Sequence, residues 1–309
     1  MRNGRAVLLL VIEYFFHQTI LVFTFFARLS ILTVLIALSV SFPKYLFTER
    51  NSFIMIIHIQ DLVKYYDDFL ALDHLSLSVE EGEIFGLLGP NGSGKTTTMN
   101  CILELLRYDS GTLEVMGEKM RPDSYHIKRQ IGIVPQNVAV FAQMNVYENI
   151  DYFCGLYVPS KKERNKLVQD AIAFTGLQGF EHFRPGKLSG GLLRRLNIAC
   201  GIAHRPRLII MDEPTVAVDP QSRNKILEGI QELNRQGSTI LYTSHYMEEV
   251  EQICTRIAIM DHGKCLACGT KDELKQTVME EAAQNGHPFT EPPTLNDVFL
   301  AITGTELRD

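Results

Sequence analysis

Eight consecutive residues, Gly89-Pro90-Asn91-Gly92-Ser93-Gly94-Lys95-Thr96, have the types and spacing that cradle phosphate. They fit G-x-x-x-x-G-K-[ST]. Gly89, Gly92 and Gly94 let the main chain curl until its N–H groups converge on phosphate oxygens. Lys95 offers a mobile point charge to the outer phosphates, and Thr96 a hydroxyl able to meet Mg²⁺. Thr97 continues the same turn and joins the candidate set. A second group, Asp212-Glu213, closes the apolar run Leu208-Ile209-Ile210-Met211. Two carboxylates at the carboxyl end of a buried strand lie where α/β sheets bind ligands. Asp212 is expected to hold Mg²⁺ through its water shell, and Glu213 to orient or deprotonate an attacking water. Alone, such a pair is a solvated turn. Beside a phosphate loop it reads as hydrolytic.

These groups need a scaffold, and the apolar patterning supplies one. Ile84-Phe85-Gly86-Leu87-Leu88 has strand length and runs into the glycine loop. Met99, Ile102, Leu103 and Leu106 then recur at helical spacing, so strand, loop and helix follow in order. Ile131-Gly132-Ile133-Val134 ends near Gln136, and Thr239-Ile240-Leu241-Tyr242 ends near His245. Four polar groups thus follow strand ends. Ser189, in Leu188-Ser189-Gly190-Gly191, is a good N-cap for a helix carrying Leu193, Leu196, Cys200 and Ala203. Its N–H groups form a second anion nest. Asp219 reads as another N-cap, with Pro220 at the first helical position and Gly237 past the end. Val146, Ile150, Phe153, Cys154 and Tyr157 share a helix face that Asn145 and Glu148 can cap.

The order of phosphate loop, Gln136, Leu188-Ser189-Gly190-Gly191, Asp212-Glu213 and His245 resembles the ATP-binding cassette (ABC) ATPases, over about residues 55–309. The resemblance implies an α/β P-loop NTPase (RecA-like) core with an inserted helical subdomain at about 137–204. It implies ATP and Mg²⁺ as ligands, the latter through Thr96, Gln136 and Asp212. Tyr66 is similar to the aromatic that stacks on adenine, and Gln136 to the residue that contacts Mg²⁺ and reports to a membrane partner. Ser189, Gly190 and Gly191 are similar to the signature that closes on the γ-phosphate held by an opposite copy. Asp219 resembles the D-loop aspartate of the dimer interface, and His245 the switch histidine that senses the γ-phosphate. The implied catalytic set is Glu213, His245, Lys95 and Gln136. Two residues depart from the family pattern: Ala217 stands where glycine is usual, and Leu192 where glutamine or methionine is common.

Thr243-Ser244-His245-Tyr246-Met247-Glu248-Glu249 is similar to the ATPases of ABC-2-type exporters. So is the tail, about 270–309, with Pro293-Thr294-Leu295-Asn296-Asp297-Val298-Phe299-Leu300. Drug-resistance exporters of the daunorubicin and linearmycin type end this way. The implied protein powers export of drugs, antibiotics or lipid-like compounds. It would sit at the cytoplasmic face of the cell membrane with a separate ABC-2-type permease, as a homodimer or a dimer with a paralogue. A soluble ABC ATPase of metal-cluster assembly has the same layout, and only the tail argues against it. Translation-type members carry two cassettes, and DNA-repair types a long coiled coil; neither feature is present.

Composition agrees. In 309 residues, 46% are hydrophobic and 21% charged, which excludes disorder. A net charge of −6 disfavours a nucleic-acid partner. Residues 1–54 differ: Arg2, Arg5, Arg28, Lys44 and Arg50 against Glu13 and Glu49 leave +3, and −9 for the rest. The segment is densely apolar, yet Glu13, His17, Gln18 and Arg28 interrupt the roughly 20-residue run a span requires. A membrane anchor, an amphipathic surface segment and a translation start at Met55 all stay open. Cys265 and Cys268 form one isolated C-x-x-C, read as two small buried residues.

Overall fold

The computed structural model describes residues 55–285 and 289–304. The apolar segment 1–54 and the end of the tail, 305–309, lie outside the described residues.

The chain opens with β1 (Met55–Tyr66), β2 (Phe69–Glu80) and β3 (Ile84–Leu88), then α1 (Lys95–Ile102). β4 (Ser110–Val115), β5 (Glu118–Lys119), α2 (Tyr125–Lys128) and β6 (Ile131–Val134) follow. Three helices come next: α3 (Val146–Gly155), α4 (Lys161–Phe174) and α5 (Gly190–Ile202). The rest alternates: β7 (Leu208–Asp212), α6 (Pro220–Arg235), β8 (Thr239–Thr243), α7 (Met247–Ile253), β9 (Arg256–Asp261) and β10 (Lys264–Thr270). It ends in α8 (Lys271–Gln284) and α9 (Leu295–Thr303).

The strands form two sheets. One is antiparallel, in the order β2-β1-β4-β5. The other runs β10-β9-β3-β8-β7-β6 and is parallel except for its edge strand β10. β3 and β8 are buried at every position. Their continuous apolar sequence follows from packing on both faces. Phe85, Leu87, Ile210 and Leu241 face a core shared with Ile57, Leu72 and Leu113 of the antiparallel sheet. Ile84, Leu88, Ile209, Met211 and Ile240 face α6, α7 and α9 through Ile226, Leu227, Val250 and Phe299. Period-two side-chain direction thus survives inside unbroken apolar runs.

Residues 137–204 hold α3, α4 and α5, whose apolar side chains make a cluster of their own. Val146, Ile150 and Cys154 of α3 are fully buried in it, and Asn145 with Glu148 forms a reciprocal capping box. Tyr157 lies beyond the end of α3 and stacks on His204 at 4.0 Å. α1 stops at Ile102 rather than running on to Leu106; Leu103 and Leu106 still pack on the same core from the turn that follows.

Candidate active site

The phosphate loop is built by close approach as much as by glycine freedom. Gly94, the N-cap of α1, has φ +104°. A Cβ on Gly89 would lie 2.4 Å from both the Met260 carbonyl and Ser93 Oγ, so no side chain fits there. Lys95 Nζ donates back to the carbonyls of Gly89 at 2.7 Å and Pro90 at 3.1 Å. It is buried, while Asn91, Gly92, Thr96 and Asn91's neighbour Pro90 reach solvent in full or in part. Ser93 Oγ is buried without a hydrogen-bond partner, an unused polar atom inside the loop.

The acidic pair ends β7 beside β8. Thr243 stands opposite Asp212 in the parallel register. Its hydroxyl donates to Asp212 Oδ1 at 2.8 Å and accepts from the Glu213 N–H at 3.0 Å. Gln136 Nε2 donates to Glu213 Oε2 at 2.9 Å, and His245 Nδ1 lies 3.4 Å from the same oxygen. Residues 77 and 32 positions away from Glu213 therefore meet on one carboxylate. Glu213 itself has φ +44°, a strained backbone for a non-glycine residue. Strain of this kind persists only where the surroundings over-determine it. Here the Thr243 hydroxyl and a buried side chain do so.

Ser189 caps α5, accepting from the Leu192 N–H at 3.3 Å. Gly191 packs against the start of α6: a Cβ there would sit 2.5 Å from Ser222 Oγ and 3.3 Å from Asp219 Oδ2. Asp219 caps α6 through the Ser222 N–H at 2.9 Å, with Pro220 at the helix start. Among the described residues no hydrogen bond or ion pair joins Ser189, Gly190 or Gly191 to residues 89–97. The two glycine-rich segments are thus not bonded to each other within one chain. Tyr66 ends β1 with its ring exposed and the Lys64 ammonium 5.8 Å from its centroid; neighbouring Tyr65 is equally exposed.

Burial lowers the Lys95 ammonium from its ordinary value, and the carboxylates of Glu213 and Asp212 oppose that drop. Burial raises the Asp212 carboxyl, and the Glu213 charge adds to the rise against the Thr243 hydrogen bond, Lys95 and Arg194. Two adjacent, partly desolvated carboxylates facing an ammonium leave room for further positive charge. Thr96, Gln136 and Asp212 offer only oxygen donors, the set a hard divalent cation takes. Among the described residues no three His, Cys, Asp or Glu side chains are placed to hold a metal by themselves. A cation here must bring other ligands, as a nucleotide–metal pair does.

Comparison with known proteins agrees with this geometry. A family model for the ABC transporter matches residues 72–216. The linearmycin resistance ATP-binding protein LnrL of Bacillus subtilis is 42% identical over 215 residues, 70% of this chain and 69% of that protein. The Nod factor export ATP-binding protein I of Burkholderia thailandensis is 32% identical over 82% of this chain and 98% of its own. The chain belongs to the ABC transporter family. Among solved structures, the cassette MJ0796 as a dimer bound to ADP and Pi aligns with TM-score 0.64 and 27% identity, covering 69% of this chain and 98% of that one. An ATP-binding subunit of an ABC transporter aligns with TM-score 0.70 over 80% of this chain and 99% of that one, at 24% identity.

The protein is thus an ATP-binding cassette ATPase, and two of the cassette's organising residues escaped the sequence reading. Helical spacing points to the apolar Leu193, yet its neighbour Arg194 is the buried one. Its guanidinium donates to five carbonyls: Pro135, Gln136, Asp212, Glu213 and Pro214, at 2.6 to 3.3 Å. Asn197, one turn on, donates to the Pro135 carbonyl and accepts from the Ala139 N–H. The signature helix therefore grips the Gln136 loop and the acidic strand end together. Glu249 is the second. One buried carboxylate oxygen accepts from Thr215, Tyr242 and Ser244 at 2.8, 2.6 and 3.0 Å, and Arg223 lies 3.3 Å from the other. It ties the segment after Glu213 to the residue before His245. The available signal was a charged residue at i, i+3 or i+4 on a buried helix face.

The isolated C-x-x-C also differs from its reading. Cys265 is only partly buried and Cys268 is exposed, because β10 is an edge strand.

Proposed function

We propose that this cassette hydrolyses ATP with Glu213 as the group that orients and deprotonates water, and that it drives an ABC-2-type exporter. The observation that carries the chemistry is the shared Glu213 Oε2, met by Gln136 and His245 at the carboxyl end of β7. A carboxylate held from two sides presents its second oxygen to a water in fixed geometry. Lys95, now folded back on its own loop carbonyls, exchanges them for β- and γ-phosphate oxygens when nucleotide enters. Main-chain N–H groups of residues 91–97, at the start of α1, hold the phosphates, and Tyr66 stacks on the adenine. Thr96, Gln136 and Asp212 would hold Mg²⁺, which supplies charge neutralisation on the outer phosphates.

The signature segment makes no bond to the phosphate loop within one chain, and a second copy or a paralogue completes the site. Its Ser189, Gly190 and Gly191 close on the γ-phosphate, with Asp219 at the interface. γ-Phosphate contacts then favour the closed pair, and their loss on hydrolysis reopens it. The MJ0796 cassette, which is dimeric with ADP and Pi, supports that arrangement. Residues 137–204 act as the helical subdomain. Phe141, Tyr152 and Phe153 form an aromatic cluster beside the Gln136 loop, with Phe141–Tyr152 centroids 4.9 Å apart. Phe141 and Tyr152 are exposed and suit a cytoplasmic helix of a membrane permease. No helix among the described residues is long and apolar enough to cross a membrane. We place the cassette peripherally at the cytoplasmic face of the cell membrane. The names of the linearmycin resistance and Nod factor export relatives support export of drugs, antibiotics or lipid-like compounds.

The test is purification of full-length Glu213→Gln protein in detergent with ATP and Mg²⁺, followed by mass spectrometry. A multi-span membrane protein in near-equal amount with a cassette dimer is the expected result. Recovery of soluble partners only, with no protein in membranes, would overturn the exporter reading.

A further inference from the structure

His245 and Tyr246 are neighbours in sequence, and adjacent side chains on extended chain point away from each other. Here their ring centroids lie 4.2 Å apart, with the planes tilted by 42°. A local turn brings them together. Ser244 Oγ accepts the Tyr246 N–H at 2.9 Å, a hydroxyl folding back on the N–H two residues on. Tyr246 stands at the N-cap of α7 without a side-chain cap, and its carbonyl accepts from the Glu249 N–H at 3.2 Å.

The Tyr246 ring also carries a cation. The Arg223 guanidinium carbon lies 4.5 Å from its centroid. Arg223 Nε is 3.3 Å from Glu249 Oε1, yet both atoms are buried and neither makes a hydrogen bond. A guanidinium free to turn at that distance would align and donate. Its plane is instead held by the ring. Glu249 therefore reaches Tyr246 twice. Oε2 accepts from the Ser244 hydroxyl that holds the Tyr246 N–H, and Oε1 attracts the cation on the Tyr246 ring.

We propose that Arg223 and Tyr246 are positioning residues for hydrolysis, a clamp that fixes the rotation of the His245 imidazole against Glu213. Nδ1 of that imidazole is 3.4 Å from Glu213 Oε2. The Tyr246 ring limits how far the imidazole can swing, and Arg223 keeps the Tyr246 ring in place. Arg223 is anchored in turn. Its N–H donates to the Asp219 carbonyl at 2.9 Å in the first turn of α6. Ser222 of the same turn is the group that excludes a Cβ on Gly191. The imidazole is thus registered against the helix start on which the signature packs. Both residues act through His245. What the imidazole does there rests on the ATPase reading; the clamp itself does not.

The test is a double-mutant cycle on full-length protein with Arg223→Met and Tyr246→Leu, read by kcat, KM and urea unfolding. Each single variant should lower kcat by about tenfold or more, because small misplacements at a reacting centre are costly. KM should stay within about threefold, since the loss falls on the transition state. The double variant should lose no more than the worse single one, as residues that act as a unit do. Tyr246→Phe keeps the ring face and should restore kcat to within about threefold of wild type. The unfolding constants should show a coupling of about threefold or more between the two positions, in the range for residues in contact. Should Arg223→Met fail to fold, because Glu249 loses its cation, Tyr246→Leu and Tyr246→Phe decide the kcat outcome alone. Single effects on kcat that multiply, or an equal loss in Tyr246→Phe, would overturn the clamp. Lowered stability with unchanged kcat would overturn the positioning role. If the wild type hydrolyses no ATP, the ATPase reading fails; the coupling in the unfolding constants still decides the clamp, and its absence overturns it.

Discussion

Arg194 of α5 donates through Nη2 to the main-chain carbonyl of Glu213, just past β7, at 2.7 Å, though the two lie 19 positions apart. The same fork reaches the Gln136 carbonyl at 2.7 Å. One planar group thus sets the spacing between two residues whose side chains must meet. Lysine offers three donors from one point and cannot reproduce the fork. Arg194→Lys should fold with stability lowered on the order of 3 kcal/mol, since buried carbonyls lose partners. It should lose turnover more than ATP affinity. Urea melts and steady-state kinetics measure both; wild-type kcat in the lysine variant would remove Arg194 from this role.

Glu213→Gln keeps an acceptor for Gln136 and removes the base. Turnover should fall by about 10²- to 10⁴-fold, the contribution typical of a positioned general base. Nucleotide affinity should stay within about threefold, because Glu213 is not a phosphate ligand in this arrangement. Single-turnover hydrolysis and equilibrium binding decide the matter. Near-normal hydrolysis would show that another group activates the water.

Ala217 has φ +59°, in the left-handed region that alanine resists, and it is exposed. Glycine is usual at this D-loop position in the family the sequence resembles, and the backbone keeps that conformation here at a cost. Ala217→Gly should stabilise the protein by about 1 kcal/mol, relief of strain outweighing the added freedom of the unfolded chain. Thermal denaturation reads the change. A lower melting temperature would mean that the neighbours relieve the strain by other means.

His204 stacks on Tyr157 and shares a hydrogen bond with the Ile131 carbonyl at 3.2 Å. Burial pulls its imidazole down from 6.5 to about 4, the carbonyl bond opposing. The unfolded chain takes up a proton near its ordinary value; the folded chain refuses it until about pH 4. Stability is therefore full above that ordinary value and falls as pH drops through the window, by on the order of 3 kcal/mol in all. Melting curves at about pH 7.5 and pH 5 should separate for the wild type and converge for His204→Phe. Equal separation in both proteins would assign the acid sensitivity elsewhere.

Much of this was readable in one dimension. The phosphate loop is contiguous, so its glycines and Lys95 announce themselves by spacing. The helix caps Asn145, Ser189 and Asp219 are local too, each set by a side chain and an N–H three residues on. Four of the parallel strands, β3, β6, β7 and β8, show as apolar runs ending near polar groups. The α1 end was not readable, because helical spacing continues through Leu106 in a turn that packs on the same core.

What the sequence determined by itself is the set of chemical groups and their order. Contiguous motifs need only local geometry, and local geometry follows from residue types. Which groups share an atom was decided by the tertiary structure. Gln136 and His245 reach Glu213 Oε2 because β6, β7 and β8 lie side by side in register. Arg194 and Glu249 are organisers only because folding takes each into a site dry enough that every hydrogen bond counts. Pairing register depends on two strands at once, and no single stretch of chain contains it.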